Sequence, residues 1–330
     1  MSKILYLSDE ANWVIDEIGS SLEKELSTRG FSRTKRGLFN LGGINHYTTR
    51  YAVYSKAIWS PFARKVLTYF HGEDSDVALL AQLQKVQTRF DFIHTSCQIT
   101  RDHLIKHGIQ PEKIQTIPIG IDVKDFSLVD EEKRRLARQR LNLPSEAFVI
   151  GSFQKDGVGW GDGMEAKLIK GPDVFCDAIE HINKQRPVHV LLTGPARGYV
   201  KKRLQDAGVP FQHVYLEKYS DVPACFHALD AYIVASRLEG GPRAPMECFA
   251  SGIPVVATRV GQVPEQIIDG ENGFMVEVED VAAIVSKTIQ LIDSPALRTN
   301  FALNGLKGLD RWDYKNIAQD YWRKLYQPLL

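Results

Sequence analysis

Residues 231–258 read AYIVASRLEGGPRAPMECFASGIPVVAT. The run Ala231–Val234 has no polar alternation, so it is expected as a strand buried on both faces. Glycines follow at 240 and 241, and Pro245 suits the first turn of a helix, so the helix is expected to open near Arg243–Pro245. Gly252 closes that helix, and Pro254–Ala257 begins a second buried strand. Strand, helix and strand in this order imply a right-handed parallel crossover.

The same alternation extends in both directions. Strands are expected at Lys3–Leu7, Lys65–Phe70, Phe92–Thr95 and Ile114–Ile117. A second series is expected at Phe148–Gly151, Val188–Leu192, Val214–Leu216, Ala231–Val234 and Pro254–Ala257. Helices are expected at 12–29, with Val14, Ile18, Leu22 and Leu26 on one face, and near 76–88 and 98–107. Two doubly wound sheets follow, broken between about 118 and 146. There Pro118-Ile119-Gly120 reads as a turn and Val129–Leu141 as a highly charged helix, expected to be a solvated linker. Ligands of such sheets bind beyond the carboxyl ends of the strands.

Composition narrows the class. Lys plus Arg is 41 against Asp plus Glu 40 in 330 residues, a formal charge of +1. That balance argues against a dedicated nucleic-acid binder, and no nucleic-acid partner is expected. No apolar run approaches the ~18 residues of a membrane span, and MSKILYLSDE does not read as a secretory leader. Cys97, Cys176, Cys225 and Cys248 are scattered and form no C-x-x-C pair, so reduced, buried thiols and a cytoplasmic location are expected.

The chemistry concentrates around Gly240 and Gly241. A strand end, a glycine turn and a helix N-terminus make a ready phosphate site, and glycine lets the backbone approach a ligand. Glu239 and Glu247 flank the turn, and carboxylates there suit a hydroxyl-rich ligand. An ordinary strand–turn–helix, with an acid favouring the helix dipole, is the plainer alternative.

EGGPRAPMECFASGIPVVAT resembles the donor-site signature of family-four retaining glycosyltransferases of the GT-B fold (glycosyl transferases group 1). Gly261-Gln262-Val263-Pro264-Glu265 with Asp269-Gly270-Glu271-Asn272-Gly273-Phe274 matches the family's G-x-x-E and D-G-x-N-G passage. Ile117-Pro118-Ile119-Gly120-Ile121-Asp122 with Phe126 resembles its interdomain I-P-N-G-V-D link, with Ile119 in place of Asn. Trp312 and Tyr326 fit its C-terminal helix. The resemblance covers residues 65–330 well and the first 65 loosely.

The resemblance implies an α/β fold of two doubly wound Rossmann-like domains facing a cleft, with a C-terminal helix crossing back to the first domain. Residues 1–125 would be the acceptor-side domain, 126–145 a linker helix, 146–312 the nucleotide-sugar donor domain and 313–330 the returning helix. It also implies roles. Glu247 would hold the ribose hydroxyls, and Glu239 would face the transferred sugar. Gly240, Gly241 and Pro242, beside Arg243, would set backbone groups against sugar and diphosphate. Lys170, before Gly171, would sit on the diphosphate. Where the family carries an arginine, this chain has Lys155 and a glycine-rich loop over 156–163, read either as a mobile cover or as a plain surface loop. Tyr219 would contact the base, and His71-Gly72 resembles the family's H-G at a strand end, with His71 near the donor sugar. The catalytic set is then His71, Glu239 and Lys170.

No metal and no separate cofactor are expected, a UDP- or GDP-sugar being the co-substrate. Asp74-Ser75-Asp76 is a D-x-D, but N-capping accounts for it. His46, His94, His103 and His107 show no ligand spacing. The glycine pair usual after the family's first strand is replaced by Ser8–Trp13, with Gly42-Gly43 a candidate substitute. Arg33, Lys35, Arg36, Arg64 and Lys65 are candidates for a basic face, a neutralised surface being the alternative. The acceptor would be a saccharide, a lipid-linked saccharide or a small molecule, with any membrane contact peripheral, at the inner face. A non-catalytic nucleotide-sugar or glycan-binding partner, a sugar-nucleotide epimerase and a phosphorylase of the same fold stay open as alternatives.

Overall fold

The computed structural model describes residues 3–8, 14–35 and 40–330. The chain divides into two compact units, Met1–Asp122 with Asp310–Leu330, and Val123–Leu309. The first runs β1 (Ile4–Leu7), α1 (Val14–Leu26), β2 (Phe31–Thr34), β3 (Ile44–Tyr47), β4 (Arg64–Thr68), α2 (Val77–Val86), β5 (Phe92–Thr95), α3 (Gln98–Lys106) and β6 (Ile114–Thr116). The second runs α4 (Glu131–Arg140), β7 (Phe148–Phe153), α5 (Pro172–Gln185), β8 (Val188–Thr193), α6 (Gly198–Asp206), β9 (Phe211–Val214), α7 (Val222–Phe226) and β10 (Ala231–Val234). It continues with α8 (Ala244–Ser251), β11 (Val255–Thr258), α9 (Val263–Gln266), β12 (Phe274–Val276), α10 (Val281–Asp293) and α11 (Pro295–Gly305). α12 (Tyr314–Tyr321) returns to the first unit.

Each unit holds a six-stranded, wholly parallel sheet flanked by helices, so both domains are Rossmann-like. The order is β2-β1-β3-β4-β5-β6 in the first and β12-β11-β10-β7-β8-β9 in the second. The second is the order of dinucleotide-binding folds, and it reverses direction between β7 and β10. Buried Ile150, Val190, Ile233 and Val256 fill that sheet, closed by Phe175, Ile179 and Ile182 of α5. In the first unit Ile18 and Leu22 of α1 pack with Ile317 and Tyr321 of α12 on β1 and β3.

The expected strands that the structure moves or adds are instructive. β3 is central yet reads Ile-Asn-His-Tyr, without an apolar run. Its polar side chains are satisfied internally: Asn45 Oδ1 accepts from Asn40, and His46 joins a buried relay. The Tyr326 hydroxyl donates to His46 Nδ1 (2.7 Å), and His46 Nε2 donates to Thr68 Oγ1 (2.7 Å). Thr68 then donates to His94 Nδ1 (3.0 Å), and His94 Nε2 donates to the Ile117 carbonyl (3.0 Å). Burial keeps both imidazoles neutral, and because the Ile117 carbonyl only accepts, the whole chain then runs one way. The expected strand at Val214–Leu216 lies earlier, at Phe211–Val214, because it is an edge strand with polar residues inside it. β2, β6 and β12 are the other short edges.

Further expectations are corrected. The charged helix α4 is not a solvated linker: it belongs to the second unit, where Arg138 is buried and binds Asp230 (2.6 Å), the Ala228 carbonyl (3.1 Å) and the Ser145 carbonyl. Gly42-Gly43 lies at the amino ends of the strands, where Ile44 N donates to the Lys3 carbonyl, so it does not replace a glycine loop at the carboxyl ends. The basic face is largely neutralised, since Arg33 pairs with Glu23, Arg64 pairs with Asp91, and Lys65 is buried on the Ala63 carbonyl. Asp9–Trp13 and Arg36 lie outside the described residues. None of the four cysteines is in a disulfide, and all four are buried. Among the described residues no helix is long and apolar enough to cross a membrane.

The histidine relay has a pH signature. Burial lowers His94 to about 4 and His46 well below its ordinary value. Between pH ~6.5 and that folded value the unfolded chain binds more protons, so stability must fall as pH falls. For His94 alone the loss is on the order of 3 kcal/mol across the window. Thermal melts from pH 7.5 to 4 should show this decline, with a shallower slope in His94→Gln.

Candidate functional site

The carboxyl ends of β7 and β10, where strand order reverses, gather most of the expected residues. After β7 the chain passes through Gln154 and Lys155, then a loop, to Lys167 and Lys170. After β10 it passes through Ser236 to Glu239. The Lys170 ammonium contacts both Glu239 oxygens, at 2.6 and 2.7 Å, and the Ser236 hydroxyl donates to Oε1 at 2.8 Å. The Glu239 side chain is only 13% exposed, so this pairing is well shielded from water.

Local backbone explains the meeting. Lys170 closes a short 3-10 turn, and Gly171 turns left-handed at φ +62° before Pro172 opens α5. A Cβ at Gly171 would lie 1.9 Å from the Ala235 carbonyl oxygen, so only glycine brings this turn against the end of β10. The Ile169 carbonyl accepts the amides of Arg237 and Leu238, and Arg237 grips Asp173 at 2.6 and 2.7 Å. On the other side Gly261 (φ +52°) comes against the carbonyl of Gly240. Gln266 donates to the Pro242 carbonyl (3.1 Å). The Gly240-Gly241-Pro242 turn is thus held from both sides.

A second cluster lies on α8. Glu247, buried in the first turn, accepts from the Tyr219 hydroxyl and lies 3.7 Å from Arg243 Nε. The Arg243 guanidinium stacks on the Tyr219 ring at 4.3 Å. Tyr219 therefore meets α8 through its side chain.

Lys155 stands over the Trp160 ring at 3.7 Å. Lys167, which the sequence reading passed over, is held below the ordinary lysine value by burial and then by the neighbouring Lys170 and Lys155 ammoniums. Three lysines near one carboxylate give a surplus of positive charge suited to a diphosphate. The K-x-x-K-G spacing of Lys167 was the available signal.

The other missed residue is Arg197, wholly buried, which donates to the carbonyls of Ser152 (2.7 Å), Gln154 (3.0 Å) and Thr193 (2.8 Å). It pairs with buried Asp156 at 3.0 Å. Asp156 heads the glycine-rich loop, whose backbone is tied by Gly198 N to Asp162 O, Tyr199 N to Gly163 O and Lys167 N to Asp156 O. The loop is therefore an anchored element with an exposed Trp160, not an untethered cover.

His71 belongs to the first unit, beyond the carboxyl end of β4, and Arg50 binds its carbonyl (2.8 Å) and Asp76 (2.7 Å). The two aspartates of the D-x-D part company: Asp76 faces Arg50, whereas Asp74 faces Lys106 and His107 on the α3 side. Asp76 makes no side-chain cap bond to α2, so capping does not explain it. His103 and His107, without apparent ligand spacing in the sequence, converge on Asp74.

Residues 165–308 match the family model described as Glycosyl transferases group 1. The chain is 28% identical over 209 residues to the lipopolysaccharide core biosynthesis mannosyltransferase LpsB of Rhizobium meliloti, covering 60% of this chain and 55% of that one. It is 23% identical over 273 residues to a GDP-mannose-dependent alpha-(1-6)-phosphatidylinositol monomannoside mannosyltransferase of Mycolicibacterium smegmatis, covering 77% and 68%. The chain spans little more than half the length of the first relatives it matches. Anabaena HepE, solved with UDP and glucose, superposes with a TM-score of 0.80 over 98% of this chain and 99% of that one, at 19% identity. Sucrose-phosphate synthase of Thermosynechococcus elongatus gives 0.79 over 100% and 99%, at 16%. At these identities the structural likeness is one of fold, and the fold is GT-B.

Arg197→Met leaves Asp156 buried and uncompensated, and should cost about 3–5 kcal/mol of stability. The double variant Arg197→Met, Asp156→Leu should lose less than the single one. Urea unfolding of the three proteins checks the order.

Proposed function

We propose that this chain, whose residues 165–308 carry a glycosyl transferases group 1 domain, moves a sugar from a nucleotide-diphosphate sugar to a hydroxyl acceptor in glycolipid or polysaccharide biosynthesis. The observation that carries the reading is the Lys170–Glu239–Ser236 cluster at the strand-order reversal, with Lys155 and Lys167 beside it and Glu247 on the adjoining helix. UDP- and GDP-sugars are the donors in view. The HepE structures hold UDP or UDP-glucose, and the mycobacterial relative is named for GDP-mannose.

In this reading Glu247 binds the ribose hydroxyls, while Tyr219 and Arg243 hold its carboxylate in position. Lys170 shares its charge between Glu239 and the diphosphate, and the Gly240–Pro242 turn presents backbone to the sugar. As the bond between the anomeric carbon and the phosphate oxygen breaks, the electron pair leaves on the nucleoside diphosphate. Lys170, helped by Lys155 and Lys167, stabilises that charge without a metal. The acceptor oxygen bonds to the anomeric carbon, and its proton passes to the departing phosphate oxygen on the same face, so configuration is retained. Glu239 is bound by Lys170 and Ser236, which suits a sugar-binding carboxylate better than an attacking nucleophile. We place transfer in the cytoplasm, at the inner membrane face when the acceptor is lipid-linked.

A thermal-shift screen against UDP, GDP, ADP and CMP tests the donor site. One nucleoside diphosphate should raise the melting temperature by mass action, unchanged in EDTA. Absence of any shift counts against the reading. Lys170→Met should weaken the diphosphate by roughly 10–100-fold, the worth of a charged hydrogen bond, while leaving the free nucleoside unaffected. Glu247→Ala should weaken both. With an acceptor in hand, Glu239→Gln should lower kcat while nucleotide affinity stays within a few-fold.

A further inference from the structure

His103 lies in the last turn of α3 and His107 caps it, so the i, i+4 spacing puts both imidazoles on one face. Asp74, in the loop after β4, comes up to that face. Its Oδ1 is 3.3 Å from His103 Nδ1 and 2.9 Å from His107 Nε2. The three ligand atoms all lie within 4.8 Å of one another, and the ring centroids are 4.7 Å apart. A tetrahedral zinc with bonds of about 2.0–2.2 Å keeps its ligand atoms roughly 3.3–3.6 Å apart. Small side-chain rotations would reach that geometry. Two imidazoles and one carboxylate suit a borderline transition metal, whereas Mg2+ and Ca2+ prefer oxygen.

We propose that Asp74, His103 and His107 bind a divalent transition-metal ion, zinc foremost, with a fourth position left for water. The site stands in the first unit and is built from none of the donor-binding residues. Lys106 contacts the other Asp74 oxygen, Oδ2, at 2.6 Å. Its side chain is 65% exposed and that of Asp74 60%, so the pair is weak and leaves Oδ1 for the metal. The consequence is mechanical. Asp74 shares the short 71–76 loop with His71, and Arg50 already ties that loop at the His71 carbonyl and Asp76. A metal would tie it a second time, to the end of α3. The D-x-D thus contributes one carboxylate to a loop clamp and the other to an arginine.

Isothermal titration of the full chain, stripped with EDTA and desalted, with zinc chloride should give one ion per chain. Co2+ in its place should develop visible d–d bands. His107→Ala and Asp74→Asn should each weaken zinc binding about tenfold or more, as lost metal contacts do. His181→Ala, an exposed histidine of α5, should not. All three changes are on accessible side chains, and their metal-free melting curves should match the parent. Absence of saturable zinc binding overturns the proposal, as does binding that survives both ligand variants. The nucleotide shifts are read in EDTA, so this site and the donor site fail independently.

Discussion

A guanidinium with no access to water organises the second unit. Arg197 gathers the carbonyls of Ser152, Gln154 and Thr193, and so fixes the carboxyl ends of the neighbouring strands β7 and β8. From there constraint passes outward by direct contact. Gln154, held by Arg197, donates to the Lys170 carbonyl; Lys170 grips Glu239; Ser236 shares Glu239 and gives its carbonyl to Thr258 of β11. One connected set of polar contacts thus spans four strands. A buried charge with a single partner costs several kcal/mol of desolvation, and three carbonyls and a carboxylate offset that cost here. Ala196, immediately before it, sits at φ +55°, a left-handed conformation unusual for a side-chain-bearing residue, where the chain turns Arg197 inward.

The cluster that results is preorganised and electropositive. Diphosphate binding beyond parallel strands needs backbone free to approach, a fixed cation and a shape set before the ligand arrives. Gly171 and Gly261 serve the third need, because their close contact with Ala235 and Gly240 fixes the shape of the turns. Lys170 serves the second, restrained by its own carboxylate rather than left to wander. On the proposed reading that restraint brings competition, because an incoming diphosphate would have to share Lys170 with Glu239.

Much of this was legible in the sequence, for identifiable reasons. Buried strands of a parallel sheet are continuous apolar runs, so β7, β8, β10 and β11 stood out. β3 did not, because Asn45 and His46 look like loop residues until Asn40, Tyr326 and Thr68 are seen to satisfy them. The edge strands β2 and β12 are short, and β9 carries polar residues, so their limits were hidden or misplaced. At the site, Glu239 and Glu247 were readable because turn glycines and a helix start mark their surroundings, and Lys170 only through the resemblance of Lys170-Gly171 to the family's K-G. Arg197 was not, since its partners are backbone carbonyls from segments far apart in the chain. Nor was the meeting of Asp74 with His103 and His107, which depends on the crossover between β4 and β5 and the helix that follows. The charge of α4 misled, because a single arginine, Arg138, turns inward from a helix that otherwise reads as solvated.

The most direct test of donor binding is a crystal structure of the chain with the nucleoside diphosphate it prefers. The expected result is a diphosphate on Lys170 at the carboxyl ends of β7 and β10, the Gly240–Pro242 turn against it, and ribose hydroxyls on Glu247. A diphosphate bound elsewhere, with Lys170 still fully engaged by Glu239, would contradict it.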